Sequence, residues 1–131
     1  MLTVHPFGCI LNIYNTVLNI YDYETMGGKN LILEYIDQLP INDRIIAYSI
    51  REKIHKDGLI AFDALNTRQL RKKLWEIKFA SNRLMYIIES QSNVYFIHIC
   101  KKQKGKSEHF ELETAIGRVK ELEKALKRKF I

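Results

Sequence analysis

The chain has 131 residues, of which 47% are apolar and 27% charged, and only two are prolines. This length and composition predict one folded domain with its own core and exclude an intrinsically disordered chain. Charge is unevenly distributed, because residues 1–65 carry 5 basic and 8 acidic groups whereas residues 66–131 carry 16 and 7, which gives −3 and +9. The second half therefore favours polyanionic partners, although a lysine-rich surface kept for solubility is the alternative.

The cysteines and the apolar segments exclude several other classes of protein. Cys9 and Cys100 have neither zinc-site spacing nor a CxxC partner. The sequence contains no apolar run of about 18 residues, and its first dozen residues lack the basic start of a signal peptide. We expect a reduced, cytoplasmic protein without a membrane segment, a bound metal or a cofactor.

The first half of the chain predicts a strand followed by two helices. Residues 10–23 are rich in Ile, Leu, Val and Tyr and indicate one long strand or a hairpin. Apolar side chains then recur at i, i+3, i+4 and i+7 over residues 32–39, the stripe of an amphipathic helix that Pro40 ends. The second helix, capped by Asn42 or Asp43, continues towards Gly58 and completes an antiparallel helical hairpin.

The second half predicts a sheet and a long helix. Residues 59–73 have weak periodicity and are interpreted as a loop or short helix. From Leu74 the pattern changes to period two, with a turn at Ser81-Asn82, a second strand and then a third strand over residues 94–100. The two apolar stripes of the first two strands are Trp75, Ile77 and Phe79, and Leu84, Tyr86 and Ile88.

An amphipathic helix is predicted from about Ser107 to the C-terminus. The predicted fold class is therefore α+β, with the order strand, helix, helix, three strands, helix and no linker that divides the chain.

Arg83 and Lys78 are the first candidates for chemistry. A guanidinium group keeps its charge and can grip two phosphate oxygens, so Arg83 is suited to stabilise the charge that develops when RNA is cleaved. Lys78 can join it across the predicted turn. The alternatives are a surface arginine at a strand entrance and an exposed strand lysine.

His98 and the lysines that follow it are the remaining candidates. Alternation puts His98 on the same side of its strand as Phe96 and Cys100, where it can act as an acid or base near neutral pH. A satisfied buried histidine is the alternative. Four nearby lysines suggest a phosphate-tracking patch, and a solvated loop is its alternative. These lysines are Lys101, Lys102, Lys104 and Lys106. Trp75 is assigned to the core rather than to a base-stacking platform.

Four short segments carry a resemblance to a known family. They are residues 74–78 (LWEIK), 82–86 (NRLMY), 96–104 (FIHICKKQK) and 111–115 (ELETA). In this order and spacing the chain resembles the phage-derived, HigB-like branch of the RelE/ParE toxin superfamily over about residues 17–126. Residues 1–16 have no counterpart and are interpreted as an extra N-terminal segment of a single toxin domain that spans residues 1–131.

The resemblance implies a RelE-like fold, in which a small antiparallel-rich sheet is packed by an N-terminal helical hairpin and a C-terminal helix. It implies a type II toxin that cuts mRNA on the ribosome without a metal, and a cognate antitoxin of the helix-turn-helix type. Arg83, His98, Lys101 and Lys102 match the family's catalytic positions, while Lys78, Lys104 and Lys106 are expected to bind RNA.

The chain departs from the family pattern in two places. The tyrosine of RelE-type toxins near the C-terminus has no counterpart, and Cys100 stands where a glycine is usual. These departures make His98 the acid/base candidate. Two other functions keep the same fold: a ParE-like inhibitor of gyrase, and a non-catalytic RNA-binding phage remnant.

Overall fold

The computed structural model describes residues 17–131. Along the chain, strand β1 is followed by helices α1 and α2, strands β2 to β5 and helix α3. Their bounds are β1 Asn19–Asp22, α1 Leu31–Asp37, α2 Ile41–Asp57, β2 Asn66–Arg71, β3 Leu74–Phe79, β4 Asn82–Glu89, β5 Asn93–Lys101 and α3 Lys106–Leu126, with a 3₁₀ helix at Gly58–Ala64 between α2 and β2. This confirms the α+β class and the C-terminal helix.

The strands form one mixed sheet in the order β1-β5-β4-β3-β2. β1 pairs with β5 in parallel, and all other neighbours are antiparallel, so the predicted meander of β3, β4 and β5 is confirmed. The prediction of a loop or short helix for residues 59–73 is wrong for residues 66–71, which form β2. β2 is an edge strand with mostly exposed side chains, so it lacks the apolar alternation that identifies a strand in a sequence.

Local backbone chemistry determines where the first two helices begin and end. Asn30 caps α1 by accepting a hydrogen bond from the Leu33 N–H, at 2.9 Å. The prediction that Asn42 or Asp43 caps α2 is wrong, because Pro40 occupies the cap position and makes no side-chain bond. Gly58 ends α2 with a φ of 73°, as predicted, and donates its N–H to a carbonyl of the last turn.

Helices cover both faces of the sheet. On one face, α1 and α2 bury the two apolar stripes predicted for β3 and β4, together with Phe96 of β5. On the other face, α3 packs Ala115, Ile116 and Val119 against the middle strands. Residues 10–16 of the predicted first strand, and the N-terminal segment 1–16 as a whole, lie outside the described residues.

A β-bulge in β5 changes which residues face α3. Met85 pairs with His98 but Tyr86 pairs with Phe96, so Ile97 is the extra residue. Phe96 packs on the α1/α2 side, whereas the side chain of His98 bonds to α3. The prediction that His98 lies on the same side of β5 as Phe96 is therefore wrong. The prediction that it lies on the same side as Cys100 is confirmed.

No helix within residues 17–131 combines the length and the apolar character needed to cross a membrane.

Candidate functional site

A cleft of about 620 Å³ opens where the start of α3 crosses the end of the sheet. We call it the basic cleft, because six cationic side chains and three carboxylates line it, together with His109 and several uncharged residues. The cations are Arg68, Lys78, Arg83, Lys101, Lys102 and Lys104, and the carboxylates are Glu76, Glu108 and Glu111. Four strands contribute to it, whereas Lys102 and Lys104 come from the loop between β5 and α3.

Arg83 lies low in the basic cleft with only 15% of its side chain exposed. Its register partners are Lys78 on β3 and Cys100 on β5, so the predicted meeting of Arg83 and Lys78 across the turn is confirmed. One terminal nitrogen donates to the carbonyl of Asn82 at 2.8 Å. Since a guanidinium has five N–H donors, this bond orients the group and leaves donors for a phosphate.

Asn82 is a buried support for this arginine. It was predicted to lie in the turn, but it is the first residue of β4 and is fully buried. The hydroxyl of Tyr35 on α1 donates to its side-chain oxygen at 2.6 Å. Burial raises the pKa of Tyr35 to about 12, so this hydroxyl keeps its proton. The contact ties α1 to the strand end that presents Arg83.

Glu76 is a site residue that the sequence analysis did not identify. It is 1% exposed, and its Oε2 lies 2.9 Å from Nε of Arg68 and 3.9 Å from Nε of Arg83. Neither contact has hydrogen-bond geometry, so this oxygen has no hydrogen-bond partner within residues 17–131. Because a buried carboxylate is costly unless opposite charges lie nearby, the two guanidinium groups and Glu76 hold one another in place. Alternation with Trp75 and Ile77 puts Glu76 on the face opposite the core, but its partners Arg68 and Arg83 lie on other strands.

His98 lies behind the basic cleft and is not one of its lining residues. A terminal nitrogen of Arg118 lies 3.0 Å from Nδ1, and Nε2 lies 2.7 Å from Oε1 of Glu111. Arginine can only donate, so Nδ1 accepts and the proton resides on Nε2, which donates to Glu111. Burial lowers the pKa of His98; the bond to Glu111 opposes this shift and the charge of Arg118 adds to it. The imidazole is therefore held neutral in one tautomer.

Glu111 is the member of this group that reaches the basic cleft. Its side chain is 21% exposed and lines the cleft from α3, while His98 holds one of its oxygens. Glu111 belongs to the segment ELETA and was not predicted as a site residue. Because His98 fixes its orientation, this carboxylate is positioned to accept a proton from a group bound in the cleft.

His98, Cys100 and Glu111 also place three possible metal-ligand atoms within 4.8 Å of one another. A metal on Nε2 would require a proton on Nδ1, which would then face the N–H of Arg118. Burial also raises the pKa of the Cys100 thiol to about 12, far from the thiolate that metals prefer. The hydrogen bonds of His98 to Glu111 and Arg118 explain this arrangement better than a bound metal does.

The structure brings together most of the predicted site residues. Five of them line the basic cleft, whereas His98 lies behind Glu111 and Lys106 begins α3 outside the lining. The five are Lys78, Arg83, Lys101, Lys102 and Lys104. Four charged lining residues were missed, namely Arg68, Glu76, Glu108 and Glu111. Arg68 was missed because its segment was not recognised as a strand.

Comparison with known proteins gives one family. The model of the family described as "Phage derived protein Gp49-like (DUF891)" matches residues 34–120, which is more than half of the chain. The matched range includes α2, all of β2 to β5 and every residue of the basic cleft. A search of curated proteins found no match.

Proposed function

The chain belongs to the phage-derived Gp49-like family, which is associated with RelE-like toxins, and from this premise we propose that it is the toxin of a type II toxin–antitoxin system. We further propose that it belongs to the HigB-like branch and that its basic cleft cleaves mRNA on the ribosome without a metal. The observation that carries this proposal is the convergence of Arg83 with Lys78, Lys101 and Lys102 in one cleft.

Charge stabilisation is the main demand of the proposed reaction. Attack on a phosphodiester adds negative charge to the phosphoryl oxygens, and donors fixed in advance stabilise that charge most effectively. Arg83 meets this requirement because the carbonyl of Asn82 orients its guanidinium before any substrate binds, with the buried carboxylate of Glu76 nearby. Lys78 is its neighbour on β3, so both cations can contact one phosphate group.

Proton transfer is the second demand. When the 2′ oxygen attacks phosphorus, the new P–O2′ bond forms as the P–O5′ bond breaks, so one group takes the O2′ proton and another supplies a proton to O5′. We assign the first role to Glu111 and the second to the ammonium groups of Lys101 and Lys102. The proton-transfer role expected for His98 becomes a positioning role, in which His98 holds Glu111 and Arg118 holds His98.

The proposed partners follow from this function. The toxin acts in the cytoplasm, where it binds mRNA and the ribosome, and a cognate antitoxin of the helix-turn-helix type silences it. Inhibition of gyrase, as in the ParE branch, would use the same fold without RNA cleavage, and the experiment below distinguishes the two.

Primer extension on a defined message tests the proposal. Purified protein is mixed with translating ribosomes, and the same message without ribosomes is the control for free RNA. Arg83→Ala is compared with Arg128→Ala, which removes an equal charge at an exposed position outside the basic cleft. We expect new 3′ ends inside the reading frame, only with ribosomes, with wild type and Arg128→Ala but not with Arg83→Ala. An intact message under every condition contradicts the proposal, and a supercoiling assay with gyrase then tests the other branch.

A further inference from the structure

A second hollow, of about 530 Å³, lies on the α1/α2 side of the sheet, across from the basic cleft. We call it the Trp75 hollow. Its lining combines aromatic and aliphatic side chains with two lysines, one carboxylate and two uncharged polar groups. The lining residues that matter here are Phe62, Asp63, Gln69, Lys72, Lys73 and Trp75.

Aromatic side chains form the floor and one wall of the Trp75 hollow. Strand register places Trp75 on β3 between Gln69 of β2 and Tyr86 of β4. Phe62, from the 3₁₀ helix, stacks on Tyr86 with ring centroids 4.9 Å apart and planes 28° apart. Trp75 packs on the core and is only half-buried, so it also borders the hollow. The core therefore covers only one part of the Trp75 side chain, and another part faces the hollow.

Cations occupy the open rim of the hollow. Lys72 and Lys73 form the tight turn between β2 and β3, and both side chains are exposed. The side-chain amide of Gln69 donates to the carbonyl of Lys72 at 2.7 Å, which fixes this turn above the aromatic floor. An aromatic floor beneath a positively charged rim matches a planar base that carries a phosphate.

We propose that the Trp75 hollow binds one nucleotide of a single RNA strand, with its base against Trp75 and its phosphate on Lys72 and Lys73. Gln69 borders both this hollow and the basic cleft, so an RNA strand that leaves the cleft across the edge strand β2 reaches the hollow. The identity of the ligand as RNA rests on the proposed function, whereas the stacking site rests on the side chains described above.

Trp75 is the only tryptophan of the chain, so its fluorescence reports directly on this site. The probe is a short single-stranded RNA with 2′-O-methyl groups, which block attack by the 2′ oxygen. A strand of the same length without bases is the control for charge. We expect the RNA with bases to quench Trp75 and the abasic strand to leave it unchanged. Equal binding of both strands without a change in fluorescence would overturn the proposal.

Paired variants separate local charge from overall charge. The double variant Lys72→Ala/Lys73→Ala removes two charges from the rim of the hollow. It is compared with the double variant Lys120→Ala/Lys124→Ala, which removes the same charge from exposed positions of α3. We expect the first pair to weaken binding of the base-bearing strand about tenfold, several times more than the second pair. Equal weakening by the two pairs would contradict a site at the hollow.

The fluorescence assay does not depend on cleavage. If the protein fails to cleave mRNA but Trp75 still responds to bases, the nucleotide site remains and the proposed activity fails. If cleavage occurs and Trp75 does not respond, the RNA takes another path and this inference is wrong.

Discussion

The two faces of the sheet use the same strands for different purposes. On the α1/α2 face, Ile77 and Phe96 are fully buried among apolar neighbours. On the α3 face, Glu76 and Lys78, the immediate neighbours of Ile77, line the basic cleft. Alternation along one strand thus anchors the chain on one side and presents charge on the other. The cleft therefore owes its fixed geometry to the core directly beneath it.

The α3 face is itself divided. Ala115, Ile116 and Val119 pack the middle of α3 against the sheet, whereas its first turns meet the basic cleft through charged side chains. Glu108 and Glu111 come from those first turns. The same helix therefore seals one part of the sheet and frames the site in the other.

Truncation of Ile77 should show the largest effect on stability. Ile77→Ala removes a fully buried side chain from the α1/α2 face and should cost about 2–5 kcal/mol of unfolding free energy, measured by urea denaturation. Lys78→Ala, one residue later on the opposite face, is the matched control and should change stability by less than about 1 kcal/mol. Comparable losses from both variants would contradict the division of labour between the faces.

Removal of the Glu111 carboxylate should reduce cleavage without unfolding the protein. Glu111→Gln keeps the size of the side chain but cannot take up the O2′ proton, so cleavage of ribosome-bound message should slow by roughly 10²-fold. Glu113→Gln, at an exposed position of the same helix, should cleave at the wild-type rate. Wild-type activity in Glu111→Gln would contradict this assignment and show that another group takes up the O2′ proton.

Acid should destabilise the fold through His98. Its pKa is lowered in the folded state, so as the pH falls through about 6.5 the unfolded chain binds a proton before the folded protein does. This contribution to stability is complete above the unfolded pKa and is lost as the pH falls towards the folded one, by at most about 1.4 kcal/mol per pH unit.

Urea denaturation between pH 7.5 and pH 5 measures this loss. His98→Gln should flatten the dependence of stability on pH, because it removes the group whose pKa differs between the folded and unfolded states. An identical dependence in wild type and His98→Gln would show that other groups cause it.

The fold should protect Cys100 from alkylation. Burial raises the pKa of the Cys100 thiol to about 12, so the reactive thiolate is scarce at pH 8 and the side chain is shielded from solvent. Alkylation by iodoacetamide at this position should therefore be roughly 100-fold slower in the native protein than in the urea-unfolded protein, as followed by peptide mass spectrometry. Rapid labelling of the native protein would contradict this prediction, because it would show that the thiol is accessible to the reagent.

The sequence predicts those parts of the fold that have strong apolar periodicity. The stripes of β3 and β4 and the amphipathic α3 are found where the pattern puts them. β2 was missed because an edge strand buries few side chains, and the polar run NTRQLR contains no stripe. The bulge at Ile97 was missed because an extra residue becomes visible only when β5 pairs with β4.

The candidate site was predicted through its cations more than through its carboxylates. Arg83 and the lysines were recognised because a positive cluster is visible along the chain. Glu76 and Glu111 were overlooked because their roles depend on contacts with Arg68 and His98, which lie on other strands. Contacts between different elements of this kind cannot be inferred from spacing within one segment.

Single-turnover cleavage of ribosome-bound message by Arg83 variants tests the central claim most directly. Arg83→Ala should lower the rate constant by roughly 10²–10³-fold, because the developing phosphate charge loses its oriented donor. Arg83→Lys should recover only part of the loss, since an ammonium group cannot form the paired bonds of a guanidinium. Melting temperatures near that of wild type would show that the fold survives in both variants. Cleavage by folded Arg83→Ala at the wild-type rate would contradict the assignment of the basic cleft as the site of RNA cleavage.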